Sequence, residues 1–492
     1  MTATTAGDQT IVRISGTEQR PDLVETVDDA CPTYEVGSTG RPGLEPLVLV
    51  THRGRTGMYV QPSVERLERI VEACLDGPDV AAAEPASVVE HDPETDTLPL
   101  PEEFTGASEV LGACGWRRPT DVDDHEAAGG FPDADRDAVF EAGRELAGRG
   151  WNDWCHDETL AESWRTVEEA AGASAVVVNG HSARADALLL ASAPFEVLDG
   201  ANALAGALDA GRIVVYASEA DERALAAAEE AADAYPDPAA PIDVVAGTPV
   251  YRAGEPTMAL EDVEGNHRLE ARLRPPGPET FGLDGAPTAV HTPRTVAHLA
   301  ASVRDGLPGT RLVTVEGDVA APVTVELPET ATLSAAVEAA DLADRVKAAS
   351  VGGRFGGLTA SLDVGIDPGS LSAAGLGTDG VVHVLAEGEC VLEFVGKRTA
   401  FAADANCGRC VPCREGTTQL AELLRDVYEG EYDPAKIEEL TEVMAGTSIC
   451  EFGVAAARPA QTAVEEFGAE LAAHAEGQCP DGACIQPMEV TQ

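Results

Sequence analysis

The chain of 492 residues is too long for one ordinary domain, and its 44% hydrophobic and 24% charged residues predict several folded domains rather than a disordered chain. No run of about 18 apolar residues occurs, and the first residues lack the basic and apolar regions of a secretion signal, so we expect neither membrane insertion nor export. With 33 basic and 86 acidic residues the net charge is −53, which argues against nucleic acid and anionic lipid as partners.

The first predicted elements are two short strands and a helix. The segment LVLVTHRGRTGMYV, from Leu47, reads as two β runs joined by a glycine turn. Residues 62–77 then show apolar positions at helical spacing between a proline and Gly77. Residues 78–103 are rich in Pro, Asp and Glu without a clear period, which predicts a linker.

Strands and helices alternate in the middle of the chain. An amphipathic helix is predicted over 135–150, ahead of two buried strands, SAVVVNG (174–180) and GRIVVYA (211–217). Segments with helical patterns follow each of these strands. The alternation predicts an α/β sheet across roughly 135–300.

The pattern changes after this region. Short strands with glycine turns are predicted over 311–327, 352–357 and 379–387, around one helical stretch, AAVEAADLADRVKAA (335–349). This combination indicates a compact β-grasp-like module. From Cys407 onward the pattern is helical.

A cysteine cluster is the strongest chemical signal. Cys407, Cys410 and Cys413 form a C-x2-C-x2-C run, and Cys450 follows 37 residues after the last of them (450 − 413). Three thiolates at this spacing can hold three corners of a [4Fe–4S] cubane, and the distant cysteine can hold the fourth. A structural zinc site is the alternative, but such sites usually use two separated C-x2-C pairs. The spacing therefore favours iron–sulfur.

A second group of cysteines lies in the tail, in HAEGQCPDGAC. Cys479 and Cys484, with His474 nearby, could bind zinc together with a fourth ligand such as Cys390. A disulfide or no function at all are the alternatives, and the sequence leaves the three open. The scattered cysteines are interpreted as small core residues, and they are Cys31, Cys74, Cys114 and Cys155.

Residues 401–417 (FAADANCGRCVPCREGT) and 446–467 (GTSICEFGVAAARPAQTAVEEF) closely resemble the iron–sulfur region of one family. That family comprises the NADH-oxidising flavoprotein subunit of respiratory complex I and its relatives in NAD-dependent hydrogenases and formate dehydrogenases. Upstream, YRAGEPTMALEDVEG (251–265) and TAVHTPRTVAHLA (288–300) are similar to family segments, and LGTDGVVHVL (376–385) is similar to the family's soluble-ligand-binding β-grasp module. The resemblance implies a [4Fe–4S] cluster on Cys407, Cys410, Cys413 and Cys450, with Gly408 and Arg409 tuning its potential.

The flavin segment departs from the family pattern. In the family a glycine-rich loop lies over the phosphate and ring of FMN and admits NADH; here Gly148-Arg149-Gly150 starts that pattern, but WNDWCHDETLAESW follows. Either a divergent pocket binds FMN and NADH by other contacts, or the site is a scaffold without them. The resemblance implies six remaining flavin or nicotinamide contacts, which are Gly148, Arg149, Gly150, Asn179, Gly254 and Glu255.

The N-terminal region shows a similar loss. GSTGRPGLEPLVLV (37–50) resembles the signature of the thioredoxin-like [2Fe–2S] domain that some family members carry. Ser38 and Pro42 occupy positions where that signature has cysteines. The resemblance therefore implies a degenerate domain without a [2Fe–2S] cluster.

The expected fold class is α/β, divided into five parts. These parts are a degenerate thioredoxin-like domain (1–100), an FMN/NADH-type α/β domain (135–305), a β-grasp soluble-ligand-binding module (308–395), a helical [4Fe–4S] domain (398–472) and a tail with CPDGAC (473–492).

The implied function is that of an NADH dehydrogenase-like oxidoreductase subunit. It would pass electrons from NADH through FMN to the [4Fe–4S] cluster and on to other redox subunits of a larger complex. The alternative is a non-catalytic electron-relay or assembly subunit, which keeps the cluster but has lost FMN and NADH binding. A regulatory protein with structural zinc is a third hypothesis. The sequence does not identify a catalytic residue.

The charge distribution predicts the cellular setting. Acidic residues occur along the whole chain, and only three basic residues are lysines, Lys347, Lys397 and Lys436. Carboxylate excess of this kind suits a cytoplasm at molar salt, where the Debye length falls to about 3 Å. An acidic interaction protein would instead show clustered acid and low hydrophobicity. We therefore expect a halophilic, cytoplasmic protein.

Overall fold

The computed structural model describes residues 10–17, 20–27, 31–76, 80, 84–101, 106–306 and 308–483. Within these residues the chain forms three β-sheets followed by a group of helices, which is a mixed α/β architecture. Cys484 and the end of the predicted tail lie outside the described residues.

The N-terminal sheet is formed by β1 (Ile11–Ser15), β2 (Thr33–Glu35), β3 (Leu47–His52), β4 (Arg55–Val60) and β5 (Ser87–Glu90), with helices α1 (Asp22–Val27) and α2 (Val64–Asp76). The strand order is β2-β1-β3-β4-β5. Arg53 and Gly54, both at positive φ, join β3 to β4 in a tight hairpin.

The predicted linker over 78–103 is wrong at Ser87–Glu90. This segment pairs antiparallel with β4 and so forms the edge strand of the sheet. An edge strand with no fully buried position has little hydrophobic periodicity, which is why its sequence pattern suggested a linker.

The second sheet has four strands, and the surrounding described segment contains nine helices. The strands are β6 (Ala175–Asn179), β7 (Arg212–Ser218), β8 (Ile242–Gly247) and β9 (Thr288–His291). The helices are α3 (Val122–Ala127), α4 (Arg136–Glu145), α5 (Leu160–Glu169), α6 (Arg184–Ser192), α7 (Pro194–Ala207), α8 (Glu222–Ala234), α9 (Pro256–Val263), α10 (Pro278–Phe281) and α11 (Pro293–Asp305). Its four strands are parallel, in the order β8-β7-β6-β9. All five residues of β6 are buried, as expected for a central parallel strand.

The strand order creates a crevice in this sheet. The chain runs outward from β6 to β7 and β8, and β9 then returns to the other side of β6. In open α/β sheets ligands bind at such a reversal, beyond the carboxyl ends of the strands. The predicted helix over 135–150 stops earlier, at Glu145, so residues 148–150 belong to the loop that faces this crevice.

No single helix among the described residues has the length and apolar composition of a membrane span, although α6 and α7 meet the criterion as a pair bent by 97°.

The third sheet contains β10 (Thr310–Gly317), β11 (Val323–Pro328), β12 (Val346–Val351), β13 (Gly357–Thr359) and β14 (Val381–Ala386), with the short helices α12 (Leu333–Glu338) and α13 (Pro368–Ala373). The strand order is β11-β10-β14-β12-β13. The predicted helical stretch 335–349 is wrong in its second half, because Val346–Val351 pairs antiparallel with β14. Its alanines resemble a helix locally, but long-range pairing decides the conformation.

The C-terminal unit is helical and consists of α14 (Val391–Ala405), α15 (Val411–Tyr428), α16 (Pro434–Thr447), α17 (Glu451–Ala455) and α18 (Arg458–Ala475). One face of α15 buries Leu420, Leu424 and Val427 in the core that these helices share. That core also contains Cys413 and Cys450.

Candidate functional site

The four cysteines of the predicted cluster lie at helix ends in the C-terminal unit. Cys407 follows α14, Cys410 immediately precedes α15, Cys413 is in the first turn of α15, and Cys450 precedes α17. Cys413 and Cys450 are buried, whereas Cys407 and Cys410 are partly exposed. The amino terminus of a long helix such as α15 favours negative charge, so it suits thiolate ligands.

The four thiols influence one another despite their separation in sequence. Burial, together with the neighbouring Cys410 and Cys407, raises the pKa of the Cys413 thiol to about 12. Burial also raises the pKa of Cys450, with further contributions from Glu255, Cys407 and Cys413. The fold therefore brings all four cysteines to one place, and a bound cation would stabilise their thiolate forms.

The chemistry of the donor set suits an iron–sulfur cluster. It consists of four cysteine sulfurs, two of them just before or within the first turn of α15 and one just before α17. A [4Fe–4S] cubane takes one cysteine thiolate on each of its four irons. The donor set therefore fits a [4Fe–4S] cluster.

The loop that carries Cys407 and Cys410 is shaped by its own hydrogen bonds. Asn406 Nδ2 donates to the carbonyl of Ala403 at 2.7 Å, and Asn406 Oδ1 accepts from Gly408 N at 2.9 Å. Gly408 has a φ of 76°, a conformation in which glycine is favoured. Arg414 Nη1 donates to the Gly408 carbonyl at 2.9 Å.

Gly453 allows Cys450 to lie close to the other three cysteines. A Cβ atom at Gly453 would lie 2.6 Å from Ser448 Oγ and 3.0 Å from the Cβ of Cys413. Since real Cβ atoms do not approach so closely, the packing of α17 against the start of α15 requires glycine here. This packing places Cys450 beside Cys413.

A cavity of about 740 Å³ lies near the four-cysteine site. This volume is within the range of about 300–1,000 Å³ that is usual for cofactor sites. Glu451, the residue after Cys450, lines the cavity, and burial raises its pKa. The other lining residues include two tryptophans, five acidic residues, a cysteine, a histidine and an arginine. They are Trp151, Trp154, Asp153, Glu158, Glu162, Glu255, Glu279, Cys155, His156 and Arg274.

Glu255 connects the α/β sheet with the cysteines. Its Oε2 accepts from Thr257 N and Met258 N, both at 3.0 Å, and so caps α9. Its Oε1 has no hydrogen-bond partner within the described structure, although the side chain is only 1% exposed. Burial raises the pKa of Glu255, against the hydrogen bonds from Thr257 and the charge of Arg274, whose Nη2 is 3.9 Å away. An unpaired buried oxygen facing a cavity points to a ligand that completes it.

His156 is the one imidazole in the lining of this cavity. Burial alone would lower its pKa, but the hydrogen bond with Asp157 and the charge of Asp379 raise it. His156 Nε2 also lies 2.5 Å from Thr378 Oγ1, so the ring is held against the third sheet.

The predicted glycine loop is present, but its contacts are internal. A Cβ at Gly148 would lie 2.5 Å from Asp153 Oδ1, and Gly150, at a φ of 94°, leaves room for the guanidinium of Arg294. Arg149 turns away from the cavity and donates from Nη1 to the carbonyl of Thr310 at 2.7 Å. These residues connect the loop to the rest of the protein.

Asn179 and Gly254 also make contacts within the chain. Asn179 Nδ2 donates to the carbonyls of Asn152 at 2.9 Å and Gly254 at 2.8 Å, and the Asn179 side chain is fully buried. The indole of Trp151 packs against Gly254, where a Cβ would lie 3.0 Å from Trp151 Cζ2. Of the six predicted contacts, Glu255 is therefore the one that lines the large cavity.

The crevice at the ends of β6 and β9 is filled by the loop itself. Asp153 Oδ1 lies 3.1 Å from His291 Nδ1, and Asp153 Oδ2 accepts from Thr292 N at 3.1 Å. Trp164 Nε1 donates to His291 Nε2 at 2.8 Å. His291 has both ring nitrogens engaged, so the close group of Asp153, Cys155 and His291 does not fit a metal site.

These contacts decide where FMN fits. Trp151, Asn152 and Asp153, all buried, occupy the position where the resemblance places glycines under the phosphate. The strand-end crevice therefore does not fit FMN bound as the family pattern implies. The neighbouring cavity does fit its ring system, because it is large enough, has tryptophans in its wall and is lined by Glu255, whose buried Oε1 has no hydrogen-bond partner within the described structure.

Two functional candidates were missed at the sequence level, namely Arg274 and Glu451. The guanidinium of Arg274 lies 5.0 Å from the ring centroid of Trp154 and donates to the carbonyl of Ile449, next to Cys450. Glu451 was detectable, since it directly follows a predicted ligand. Trp154 and Arg274 lie 120 residues apart (274 − 154), and no local pattern links them.

Two family models match the chain. The NADH-ubiquinone oxidoreductase-F iron-sulfur binding region matches residues 393–474, and the Nuo51 FMN-binding domain matches residues 160–300. The matches confirm the predicted iron–sulfur region and the predicted flavoprotein-type region.

Curated relatives from several bacteria are each the F subunit of an NADH-quinone oxidoreductase. The protein of Mycobacterium bovis is 33% identical over 259 residues, which cover 48% of this chain and 58% of the relative. That of Streptomyces coelicolor is 33% identical over 261 residues, covering 49% and 58%, and that of Rickettsia rickettsii is 30% identical over 250 residues, covering 46% and 59%. The match thus spans less than two thirds of these relatives.

A solved structure shows the same fold over nearly the whole chain. An NAD+-reducing [NiFe]-hydrogenase in the H2-reduced state matches with a TM-score of 0.65 and 22% identity, covering 99% of this chain and 86% of that one. Taken together, the two family models and the bacterial relatives match the regions that carry the sequence resemblance, so the chain is similar to NADH-oxidising flavoprotein subunits over its flavin-type and iron–sulfur regions.

Proposed function

We propose that the protein is a redox subunit of an NADH-oxidising complex, in which one [4Fe–4S] cluster passes electrons to a partner subunit. The observation that carries the proposal is that Glu451, the residue after Cys450, lines the 740 Å³ cavity. Glu255 and Glu451 line this cavity, Glu451 directly follows Cys450, and Glu255 contributes to the raised pKa of Cys450. A cofactor in the cavity would therefore lie next to the cluster.

Different residues of this chain would hold the cluster and the flavin. Cys407, Cys410, Cys413 and Cys450 hold the cluster, which supplies one-electron transfer. FMN in the cavity would supply the step from two-electron to one-electron chemistry. Trp154 and Glu255 are among the residues that would hold it, and Glu255 Oε1 is a buried acceptor that lacks a hydrogen bond. Arg274 is the cation available to its phosphate or to that of a nicotinamide nucleotide.

The electron exit follows from the exposure of the cysteines. Cys407 and Cys410 are partly exposed, and Val411 between the motif cysteines is 59% exposed. The side of the cluster that Cys407 and Cys410 hold is therefore accessible to another protein. Other redox subunits of the complex, rather than nucleic acid or a membrane, are the partners that this arrangement suits.

The finer fold assignments are part of the same proposal. The N-terminal sheet is a degenerate thioredoxin-like domain, in which the Ser38 hydroxyl bonds to Glu45 and Pro42 starts a short turn. Neither side chain is a good iron ligand. The third sheet is the β-grasp soluble-ligand-binding module, and the boundaries are those predicted for residues 1–100, 135–305, 308–395 and 398–472.

A second candidate function has its own supporting observation. Because Trp151, Asn152 and Asp153 fill the strand-end crevice, the chain is also compatible with an electron-relay or assembly subunit without flavin. Such a subunit would keep the cluster and the exposed cysteine side.

An absorption spectrum distinguishes the two functions. The full chain is purified anaerobically in multimolar KCl, and spectra are recorded before and after NADH, then after dithionite. Flavin bands on a brown iron–sulfur shoulder, both bleached by NADH, support the proposal. A brown shoulder that only dithionite bleaches identifies the relay, and a colourless protein refutes both.

Cysteine variants locate the cluster in the same assay. We expect Cys413→Ser to lose the brown shoulder and most of the iron. Cys31→Ser, which alters a partly buried cysteine of the N-terminal unit, is the matched control and should retain both.

A further inference from the structure

We propose that Cys390, His474 and Cys479 form a zinc site that is separate from the four-cysteine cluster. The ligand atoms of these three residues all lie within 4.8 Å of one another. Cys390 Sγ and His474 Nε2 are 3.3 Å apart. Around a tetrahedral zinc ion, with bonds of about 2.3 Å to sulfur and about 2.0–2.1 Å to nitrogen, these atoms would be about 3.5 Å apart. The side chains of Cys390 and His474 therefore need almost no movement to bind zinc.

The histidine is oriented for a metal. Its Nδ1 lies 2.7 Å from the carbonyl of Glu470, and since a carbonyl only accepts, Nδ1 carries the hydrogen. Nε2 therefore presents its lone pair toward the two sulfurs. Metal-binding histidines are usually fixed in this way by a backbone carbonyl or a carboxylate on the other ring nitrogen.

Cys390 has the environment of a thiolate ligand. It is the residue before α14, a helix of 15 residues, and its sulfur accepts from the amide of Glu393 at 3.4 Å. It is 2% exposed, and His474 is 4% exposed. A buried thiolate and a buried imidazole at this distance suit zinc, which prefers nitrogen and sulfur donors.

The segment that carries Cys479 is held beside the other two ligands. Lys347 Nζ, on β12, lies 2.5 Å from Asp481 Oδ2 and 2.9 Å from Glu470 Oε2. This pair of contacts fixes the residues after α18 against the third sheet. The three donors come from the start of α14, the end of α18 and the segment beyond it, so a bound ion would cross-link elements that are far apart in sequence.

The site would be structural, and it does not depend on the proposed redox function. None of its ligands belongs to the four-cysteine site. The ion would join α14, whose far end leads to Cys407, with α18 and the third sheet. Three protein donors leave one position of a tetrahedral ion for a fourth ligand.

The test is elemental analysis of the full chain, expressed with zinc in the medium and purified without a metal-chelating tag. We expect about one zinc per chain, which Cys390→Ser and Cys479→Ser both reduce at least about tenfold while the iron content stays unchanged. Cys31→Ser is the matched control for the two cysteine variants, and His383→Ala is the matched control for His474→Ala. Both controls should retain zinc. Because Cys479 is partly exposed, its variant should fold even if the Cys390 variant does not.

Cobalt substitution gives a second readout. Anaerobic replacement of zinc by Co²⁺ should produce visible d–d absorption and a thiolate charge-transfer band, and His474→Ala should lose both. The proposal is overturned if the wild-type chain contains no zinc, if Cys479→Ser keeps it, or if zinc disappears only in Cys407→Ser. A disulfide at Cys479, detected by mass spectrometry of the alkylated protein, would also overturn it.

Discussion

The indole of Trp151 stacks on the phenol ring of Tyr251, with the ring centroids 4.7 Å apart and the planes inclined by 17°. Trp151 stands where the family pattern has a glycine, and its ring packs onto Gly254. A side chain of this chain thus lies between the two segments that the resemblance assigns to the flavin. Trp151 thus packs on Gly254 and also lines the cavity near the cysteines.

Replacing Trp151 by glycine tests the effect of this packing on FMN binding. We expect Trp151→Gly to bind added FMN at least about tenfold more tightly, because the variant restores the glycine and opens the crevice. It should also lower the free energy of unfolding by about 3–5 kcal/mol, since a buried indole is lost. Quenching of FMN fluorescence and urea denaturation measure the two effects. Trp116→Gly, a buried tryptophan of the N-terminal unit, is the control; equal FMN affinity in both variants would contradict the prediction.

Gly200 on α7 permits a close helix crossing. A Cβ at this position would collide with the carbonyl of Val296 on α11. We expect Gly200→Ala to lower the free energy of unfolding by more than about 2 kcal/mol, because the helices must separate. Gly206→Ala, on the same helix but with space for a methyl group, should raise it by about 0.4–1 kcal/mol. If the two variants unfold at the same urea concentration, the predicted packing is wrong.

A buried carboxylate should make stability depend on pH. Glu196 accepts from Arg117 Nη2 at 2.6 Å and from Arg304 Nη1 at 3.0 Å. Burial alone would raise its pKa, but the charges of Arg117 and Arg304 lower it to about 2. Because this is below the ordinary glutamate value of about 4.3, the contribution is complete above that pH and is lost as the pH falls toward 2.

The variant Glu196→Gln checks this dependence. Near neutral pH it should lower the free energy of unfolding by about 3–5 kcal/mol, because it leaves two part-buried arginines without their buried carboxylate. The difference from the wild type should narrow between about pH 4.3 and pH 2, as the wild-type carboxylate is protonated. Urea denaturation at a series of pH values measures it. Glu168→Gln, in the exposed pair of Glu168 with Arg136, is the control and should lower the free energy of unfolding by under about 1 kcal/mol. If the difference in this free energy between the wild type and Glu196→Gln stays constant down to pH 3, the assignment is refuted.

The acidic surface predicts a strong dependence on salt. With a net charge of −53, self-repulsion should weaken the fold at low ionic strength. We expect the thermal midpoint to rise by at least about 5 °C when KCl is increased from about 0.1 M to the molar range, where the Debye length is about 3 Å. Sucrose of equal osmolality, which leaves charges unscreened, should give a smaller rise. Equal shifts in both solutions would argue against salt adaptation.

The parts of the fold that sequence could predict have strong local patterns. The apolar run of β6 predicts a buried parallel strand because every residue is on a covered face. The C-x2-C-x2-C run predicts a metal cluster since its ligands are neighbours. By contrast, Val346–Val351 carries alanines that suit a helix, and its strand conformation comes from pairing with β14.

The site depends on contacts that sequence does not encode locally. Asp153 meets His291 across 138 residues, and Cys390 meets His474 across 84 residues. A pattern search could suggest the second pair, because cysteine and histidine are common ligands and Cys390 was one possible partner. It could not show that the loop of Trp151 and Asp153 folds into the crevice, since that depends on the shapes of distant elements.

The crossing at Gly200 has a consequence for how such a site diverges. Helix α11 begins just after Thr292, whose amide contacts the loop, and its position is set from behind by α7. The packing of α11 against α7 therefore holds this side of the strand-end crevice in place, whichever residues the loop contains. Residues of the loop could therefore change during evolution while the packing of α7 against α11 stays the same.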